Sequence, residues 1–375
     1  MARLRTPLGR RTPQPRACLR AVRAYTPGRP IDEVQRELGL RSVIKLASNE
    51  NALGPSPKAV AAARRALGQL HRYPDAGGYA LKRRLARHLG VRAGELILGN
   101  GSDEMLVLAL RAFVEPGDDV VIAAPTFLMY DIAATACGAR VVRVPLRDYR
   151  YDLPAMRRAV TPRTKLIFIA NPDNPTGTYV TRAEVHRFLR GLRRDIVVCF
   201  DEAYYEFVEA RDYPQTIPLM HRGNILVTRS FSKAYGLAGL RIGYGIAAPS
   251  LLAWMERVRE PFNANLLAQA GAAAALDDRA YVARSRRLLR AGRAYLAGAL
   301  RRLRLRALPS VTNFLLIETG PRSTRLAAEL LRRGVIVRDM RAWGLDRWIR
   351  VTIGTPAENR RFVNALTDCQ RSAQT

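Results

Sequence analysis

The sequence predicts an α/β fold: a large lobe with a mostly parallel sheet between helices, followed by a smaller α+β lobe. Three observations carry this expectation. From about residue 56 to residue 246, short apolar runs alternate with helical patterns. Several runs, such as Leu166-Ile-Phe-Ile-Ala170, are apolar at every position, as a strand buried on both faces requires. Beyond about residue 263 the chain turns to Ala/Leu/Arg-rich helical stretches and then short strands, which marks a second lobe.

In chain order, Pro57–Leu67 and Tyr79–Leu89 read as helices, the second with Leu81, Leu85 and Leu89 at four-residue spacing. Glu95–Leu98 reads as a strand running into a Gly-rich turn, with Ser102 as N-cap of a helix over Asp103–Phe113. Further strands are expected at Asp119–Ala123, Val141–Val144, Lys165–Ala170, Ile196–Phe200, Asn224–Thr228 and Arg241–Ile246, with helices between most of them. Helices over Asn265–Leu276 and Tyr281–Leu303 open the smaller lobe, followed by strands at Asn313–Ile317, Gly334–Val337 and Trp348–Ile353. Thr355-Pro-Ala-Glu358 is a capping box with Pro at the first helical position, and it starts the last helix. The resulting division is a basic extension over 1–24 expected to be disordered, an arm over 25–55 that joins the small domain, a large domain over 56–262 and a small domain over 263–375.

Composition narrows the function classes. No apolar run reaches the roughly 20 residues of a membrane span, so no membrane partner is expected. The four cysteines and four histidines are scattered without ligand spacing, which argues against a metal site or disulfide framework and suits a reducing, cytoplasmic setting. Residues 1–24 hold seven arginines and no acid, but lack the apolar stretch of an export signal. The net charge of +30 raises nucleic-acid binding as a possibility. The basic residues are not interleaved with aromatics and no DNA-reading motif occurs, so an arginine bias spread over solvated helix faces is the simpler reading.

That bias singles out one residue. The chain has only five lysines, and arginine carries the rest of the positive charge. Arginine can replace lysine on a surface but not where a neutral amine must attack a carbonyl. Lys233 lies in Arg229-Ser-Phe-Ser-Lys-Ala-Tyr-Gly-Leu-Ala-Gly-Leu-Arg241, flanked by Ser230 and Ser232 and followed by Arg241. An amine beside hydroxyl and guanidinium donors suits a cofactor carrying both an aldehyde and a phosphate, that is, pyridoxal phosphate. Other segments place polar groups at strand ends, where open α/β sheets hold ligands. Gly99-Asn-Gly-Ser-Asp-Glu104 opens a helix, Asn171-Pro-Asp-Asn-Pro-Thr-Gly177 follows one strand and Asp201-Glu-Ala-Tyr204 follows another. Taken alone, the Gly-rich turn is commonly structural, the Asn171 segment reads as a plain turn, and Asp201 reads as a solvated carboxylate, though with a phenol three residues on. Arg350 interrupts the apolar strand Trp348–Ile353, and a charge there calls for an anionic partner.

Together these segments resemble fold-type I pyridoxal-phosphate aminotransferases, and most nearly the histidinol-phosphate aminotransferases. Tyr25-Thr-Pro-Gly-Arg-Pro-Ile, Leu46-Ala-Ser-Asn-Glu-Asn-Ala-Leu-Gly-Pro-Ser-Pro57, Arg72-Tyr-Pro-Asp75 and Val337-Arg-Asp339 add to the likeness, which runs from about Tyr25 to the C-terminus. The resemblance implies that Lys233 bonds the cofactor and later moves a proton, and that Asp201 pairs with the pyridinium nitrogen. It implies hydrogen bonds from Tyr204 and Asn174 to the ring oxygen, and Phe127 stacked on the ring. Ser102, the Asp103 amide, Ser230, Ser232 and Arg241 would hold the phosphate, with Tyr73 reaching it from a second subunit of a homodimer. Arg350, with Arg338, Tyr25 and Asn174, would bind the substrate anion. The family usually has Pro where this chain has Ala52. The implied reaction passes an amino group from histidinol phosphate to 2-oxoglutarate. An aromatic amino-acid aminotransferase and a threonine-phosphate decarboxylase share the same cofactor pattern, and a nucleic-acid-binding protein on a degenerate enzyme fold is the rival of another class.

Overall fold

The computed structural model describes residues 13–372. Its strands are β1 (Ile44–Lys45), β2 (Leu96–Gly99), β3 (Asp119–Ala124), β4 (Arg140–Pro145), β5 (Thr164–Ala170), β6 (Val197–Asp201), β7 (Ile225–Ser230), β8 (Gly243–Ala247), β9 (Arg306–Ala307), β10 (Phe314–Glu318), β11 (Val335–Ile336), β12 (Arg338–Asp339) and β13 (Trp348–Thr352). Seven of them form the central sheet in the order β2-β8-β7-β6-β5-β3-β4. All run parallel except β8, which is antiparallel to both neighbours. Every residue of β6 and β7 is buried, because helices cover both faces of the sheet.

The register of this sheet positions the site. Ala170 of β5 lies opposite Asp201 of β6, and Asp201 lies opposite Thr228 of β7. The carboxyl ends of three parallel strands are therefore level. The polar segments that follow them, at Asn171, Asp201 and Ser230, emerge side by side. The helix Ser102–Phe113 points its N-terminus at the same place. Two glycines allow that approach. A Cβ on Gly243 would lie 2.4 Å from the Ser102 amide nitrogen, and one on Gly101, at φ +83°, would lie 2.5 Å from the Arg241 guanidinium.

The second lobe is a four-stranded antiparallel sheet, β12-β13-β10-β9, packed with the long helix Arg279–Arg302 and the terminal helix Pro356–Arg371. Strand β1 pairs in parallel with β11, so the arm preceding the large lobe is built into the small one.

The structure departs from the sequence reading in four places. Gly101, not Ser102, is the N-cap of the helix; Ser102 is the first helical residue and faces the site. The strand expected from Arg241 begins at Gly243, because Arg241 takes a left-handed conformation, φ +54°, that closes a 3-10 turn. The expected strand Gly334–Val337 is shortened to β11, which pairs with β1, and a separate strand, β12, follows Val337 and pairs with β13. Of the extension expected to be disordered, residues 1–12 lie outside the described residues, whereas Ala17–Ala21 form a 3-10 helix. That turn rests on the helix Leu128–Ala136, with Arg16 donating to the Cys137 carbonyl.

Candidate active site

Between the two lobes the level strand ends, the helix N-terminus and β13 enclose one cavity. It is lined by Tyr25, Ser102, Asp103, Phe127, Asn174, Asp201, Tyr204, Ser230, Ser232, Lys233, Arg241 and Arg350. Of the residues singled out from sequence, only Tyr73 and Arg338 lie off it.

Asp201, 7% exposed, ends β6. Its Oδ2 accepts from the Tyr130 hydroxyl at 2.7 Å, and its Oδ1 from the Ala203 amide at 3.2 Å and the Thr228 hydroxyl at 3.3 Å. No ion pair reaches it among the described residues. Burial therefore dominates and raises its pKa to about 6, against the lowering effect of the Tyr130 hydrogen bond. A cationic N–H placed against this carboxylate would hold it ionised.

Lys233 shows the opposite sign. Burial, reinforced by the nearby Arg350 charge, lowers its pKa to about 8. Its Nζ donates to the Ser48 carbonyl at 3.3 Å, a neutral acceptor that leaves the amine free to lose its proton. The Tyr204 hydroxyl accepts from Asn49 Nδ2 at 2.9 Å, so its own proton is available to the cavity, and burial keeps that proton on by raising the phenol pKa to about 12. The turn after β5 is rigid. Asp173 Oδ1 accepts from Thr126 at 2.8 Å, and its Oδ2 from the Thr176 hydroxyl at 2.8 Å and amide at 3.2 Å. Asn174 is thereby presented to the cavity. Its Oδ1 accepts from Arg350, which leaves its amide N–H groups to donate.

The opposite end of the cavity is built for an anion. Ser102 stands at the N-terminus of a twelve-residue helix. Arg241 donates to Ser232 Oγ at 3.4 Å and lies 3.6 Å from the Asp103 carboxylate, and the Ser232 amide donates to Ser230 Oγ at 3.0 Å. These groups form a cradle into which a Cβ on Gly101 would intrude. An amine with a depressed pKa, a buried carboxyl lacking a cation, two donors for a ring oxygen and an anion cradle fit pyridoxal phosphate group by group.

Arg350, 5% exposed on β13, donates to the Ala47 carbonyl at 2.9 Å, and its Nε has no partner among the described residues. Arg338 lies opposite it in register on β12 but behind Tyr25. Its guanidinium is 5.5 Å from the Tyr25 ring and 5.1 Å from that of Trp343, and it donates to the Thr26 carbonyl at 2.6 Å. Tyr73 is 80% exposed and stacks on Phe262 with centroids 4.5 Å apart. Sequence reasoning assigned no role to Tyr130, Asn49 or Ser48. Tyr130 carried a usable signal, since it follows Phe127 by one helical turn and a buried phenol needs a partner. A backbone carbonyl such as that of Ser48 leaves no signal in sequence.

The chain from residue 41 to 366 matches the family model of aminotransferase class I and II. It is 46% identical to the histidinol-phosphate aminotransferase of Moorella thermoacetica, covering 95% of this chain and 93% of that one. It is 47% identical to histidinol-phosphate aminotransferase 2 of Pseudomonas fluorescens, covering 91% and 93%. Among solved structures, the histidinol-phosphate aminotransferase from Sinorhizobium meliloti in complex with pyridoxal-5'-phosphate superposes with a TM-score of 0.89 at 30% identity, over 98% of this chain and 99% of that one. The aspartate aminotransferase from Thermus thermophilus with maleate shares the fold, with a TM-score of 0.82 at 24% identity over 96% and 100% of the two chains.

Two outcomes follow from the site. Only a neutral amine is a nucleophile, and burial favours the neutral form of Lys233. In cofactor-free protein, trinitrobenzenesulfonate should therefore modify Lys233 with a midpoint near pH 8, the rate rising with pH. A lysine of ordinary pKa is less than about 1% neutral at that pH. A midpoint above pH 10, read by peptide mapping, would contradict the buried environment. Replacing Asp201 by Ala should lower kcat by about 100- to 1,000-fold, the loss typical of one well-placed electrostatic partner, with the circular dichroism unchanged. Near-normal turnover would remove Asp201 from the chemistry.

By fold, site and sequence, the chain belongs to the class I and II aminotransferases.

Proposed function

We propose that this enzyme transfers the amino group of histidinol phosphate to 2-oxoglutarate, giving imidazole-acetol phosphate and glutamate, a step of histidine biosynthesis. The observation that carries the substrate reading is Arg350. It is a buried guanidinium at the cavity wall with, among the described residues, no carboxylate partner and one unsatisfied N–H, and Arg338 lies in register beside it. A phosphate takes hydrogen bonds from two guanidinium groups more readily than a carboxylate does, and glutamate can use the same place in the second half-reaction. The relatives named above are histidinol-phosphate aminotransferases, which supports the same reading.

Pyridoxal phosphate would be held by Lys233, Asp201, Tyr204 and Asn174 around the ring, Phe127 on its face, and Ser102, the Asp103 amide, Ser230, Ser232 and Arg241 at the phosphate. Bound there, it supplies an electron-accepting ring that stabilises negative charge on the carbon losing its proton. The remaining work belongs to the chain. Lys233 Nζ, whose lowered pKa of about 8 makes its neutral form accessible near physiological pH, takes the proton from the substrate carbon that bears the amine and would hand it on to the cofactor carbon, so that the amino group stays behind when the oxo product leaves. Asp201 keeps its negative charge directed at the ring nitrogen. Tyr204 and Asn174 donate to the ring oxygen. Arg350 fixes the substrate's anionic end.

The protein acts as a homodimer on this reading. Leu70, Tyr73, Tyr79, Trp254 and Phe262 are large apolar side chains left exposed on one chain. Tyr73 of one protomer would reach the phosphate held by its partner. A cytoplasmic setting suits the four free cysteines. Among the described residues no helix is long and apolar enough to cross a membrane.

The test of substrate is single-turnover amine donation by histidinol phosphate, phenylalanine, tyrosine and threonine phosphate. Histidinol phosphate should give the highest kcat/KM. Arg350→Ala should impair histidinol phosphate and glutamate alike, whereas Arg338→Ala should impair histidinol phosphate more. A wild type preferring phenylalanine would replace the substrate and leave the transaminase chemistry standing. For the dimer, light scattering should give twice the chain mass. Tyr73→Phe should weaken cofactor retention by roughly 10- to 100-fold, the value of one hydrogen bond to a charged group. Full retention in that variant would exclude the cross-subunit contact.

A further inference from the structure

A second cavity of about 600 Å³ lies behind the catalytic segments, between the long helix Arg279–Arg302 and the loop Tyr205–Glu209. Its helical wall repeats at positions 279, 282, 283, 286, 287 and 290, one face of an α-helix. Arginine clusters are common in this chain, so a basic stripe alone would mean little. Three features set this one apart.

The first is the cavity itself, of the size that takes a small metabolite. Apolar side chains Leu276 and Val282 and the rings of Tyr205 and Tyr235 give it walls. The second is charge left over after local pairing. Arg229 is spent on a buried ion pair with Glu202, 2.8 Å apart, and Arg290 is spent on Glu209. Arg286 gives its Nε to the Glu206 carbonyl. No carboxylate pairs with Arg279 or Arg287 among the described residues, and both stand at the cavity wall with His88. The third is Glu206, 7% exposed, which lines the cavity with a buried Oε2 that has no hydrogen-bond partner among the described residues. Burial outweighs the neighbouring Arg229 charge and raises this carboxyl to about 7. A site with unpaired guanidinium groups on one wall and an unpaired buried carboxyl on the other is complementary to a molecule with an anionic end and an N–H end.

We propose that this second cavity binds a small phosphate- or carboxylate-bearing amine, its anion on Arg279 and Arg287 and its N–H on Glu206, separately from the catalytic cavity. The catalytic side chains Tyr204 and Ser230 directly adjoin its walls at Tyr205 and Arg229 in sequence, but none of the binding groups named belongs to the catalytic set.

The test uses holoenzyme reduced with borohydride, which locks Lys233 and prevents amine exchange, and phosphoethanolamine as the probe in titration calorimetry. A binding event should appear that Arg350→Ala leaves unchanged and that the Arg279→Ala/Arg287→Ala double variant weakens by at least about tenfold, the loss of charge-assisted hydrogen bonds. The double variant alters exposed residues only and should keep wild-type turnover. Glu206→Gln should weaken phosphoethanolamine more than inorganic phosphate. No binding event, an event abolished by Arg350→Ala, or one indifferent to the double variant would overturn the site. Equal weakening of phosphate and phosphoethanolamine by Glu206→Gln would overturn its N–H end.

Discussion

Asp201 is a buried carboxyl at the end of a central strand, supplied, among the described residues, with three hydrogen-bond donors and no cation. An ionised carboxylate so placed is costly unless a positive partner arrives. Much of the surrounding architecture serves to keep it there. The level register of β5, β6 and β7 aligns Asp201 with the Asn171 turn on one side and Thr228 on the other. Tyr130 reaches it from the helix Leu128–Ala136, and the ring of Tyr130 is itself fixed by stacking on Phe168 of β5, 4.7 Å between centroids. The carboxylate is thus held in a rigid frame and is complementary to a cationic N–H, while burial lowers the Lys233 pKa to about 8 and brings its neutral form within reach near physiological pH. Two opposite desolvation effects in one cavity, a raised acid and a lowered base, prepare it for an electron-withdrawing cationic ring.

Much of this was legible in the sequence because chemistry and strand ends coincide. Apolar runs such as Leu166–Ala170 located the central strands, and those of β5 and β6 were followed at once by the polar segments at Asn171 and Asp201. The scarcity of lysine isolated Lys233 without reference to any structure. The capping box at Thr355 was found as read, with Thr355 accepting from the Glu358 amide and Glu358 accepting from that of Thr355. What escaped was non-local or carried by the backbone. The Ser48 carbonyl against Lys233 spans 185 residues of sequence. The break between β11 and β12 depends on β1, far earlier in the chain, taking β11 as its partner while β12 joins β13. The helix Ile31–Leu38 did carry a signal, Ile31, Val34 and Leu38 at helical spacing, which the reading of the sequence passed over. The left-handed Arg241 is unforeseeable from propensity, since a non-glycine residue rarely adopts it. Tertiary demands fix it: its guanidinium has to meet Ser232 and the helix N-terminus together.

The arginine bias that obscures the surface clarifies the interior. An exposed arginine in this chain says little, because solvated guanidinium groups cost almost nothing to keep. Burial is a stronger filter, since a guanidinium removed from water needs compensation of several kcal/mol. Among the described residues three arginines are buried: Arg229, Arg338 and Arg350. Arg229 has its compensation in Glu202 and in the face of Tyr205, 3.4 Å from its guanidinium carbon. The other two face each other across β12 and β13 with carbonyls, aromatic rings and each other's charge for company. Two like charges on adjacent strands repel, and a carbonyl offers only a partial charge in return. Such an arrangement is strained electrostatically until an anion enters. On the proposed reading, a doubly charged group relieves this strain more fully than a singly charged one, so the pair would discriminate between phosphate and carboxylate by charge as well as by shape. Tyr25 lines the cavity and Arg338 does not, its guanidinium lying 5.5 Å from the Tyr25 ring. On that same reading, selectivity for a phosphate-bearing donor would rest on the placement of this one aromatic ring from the arm as much as on the arginines themselves.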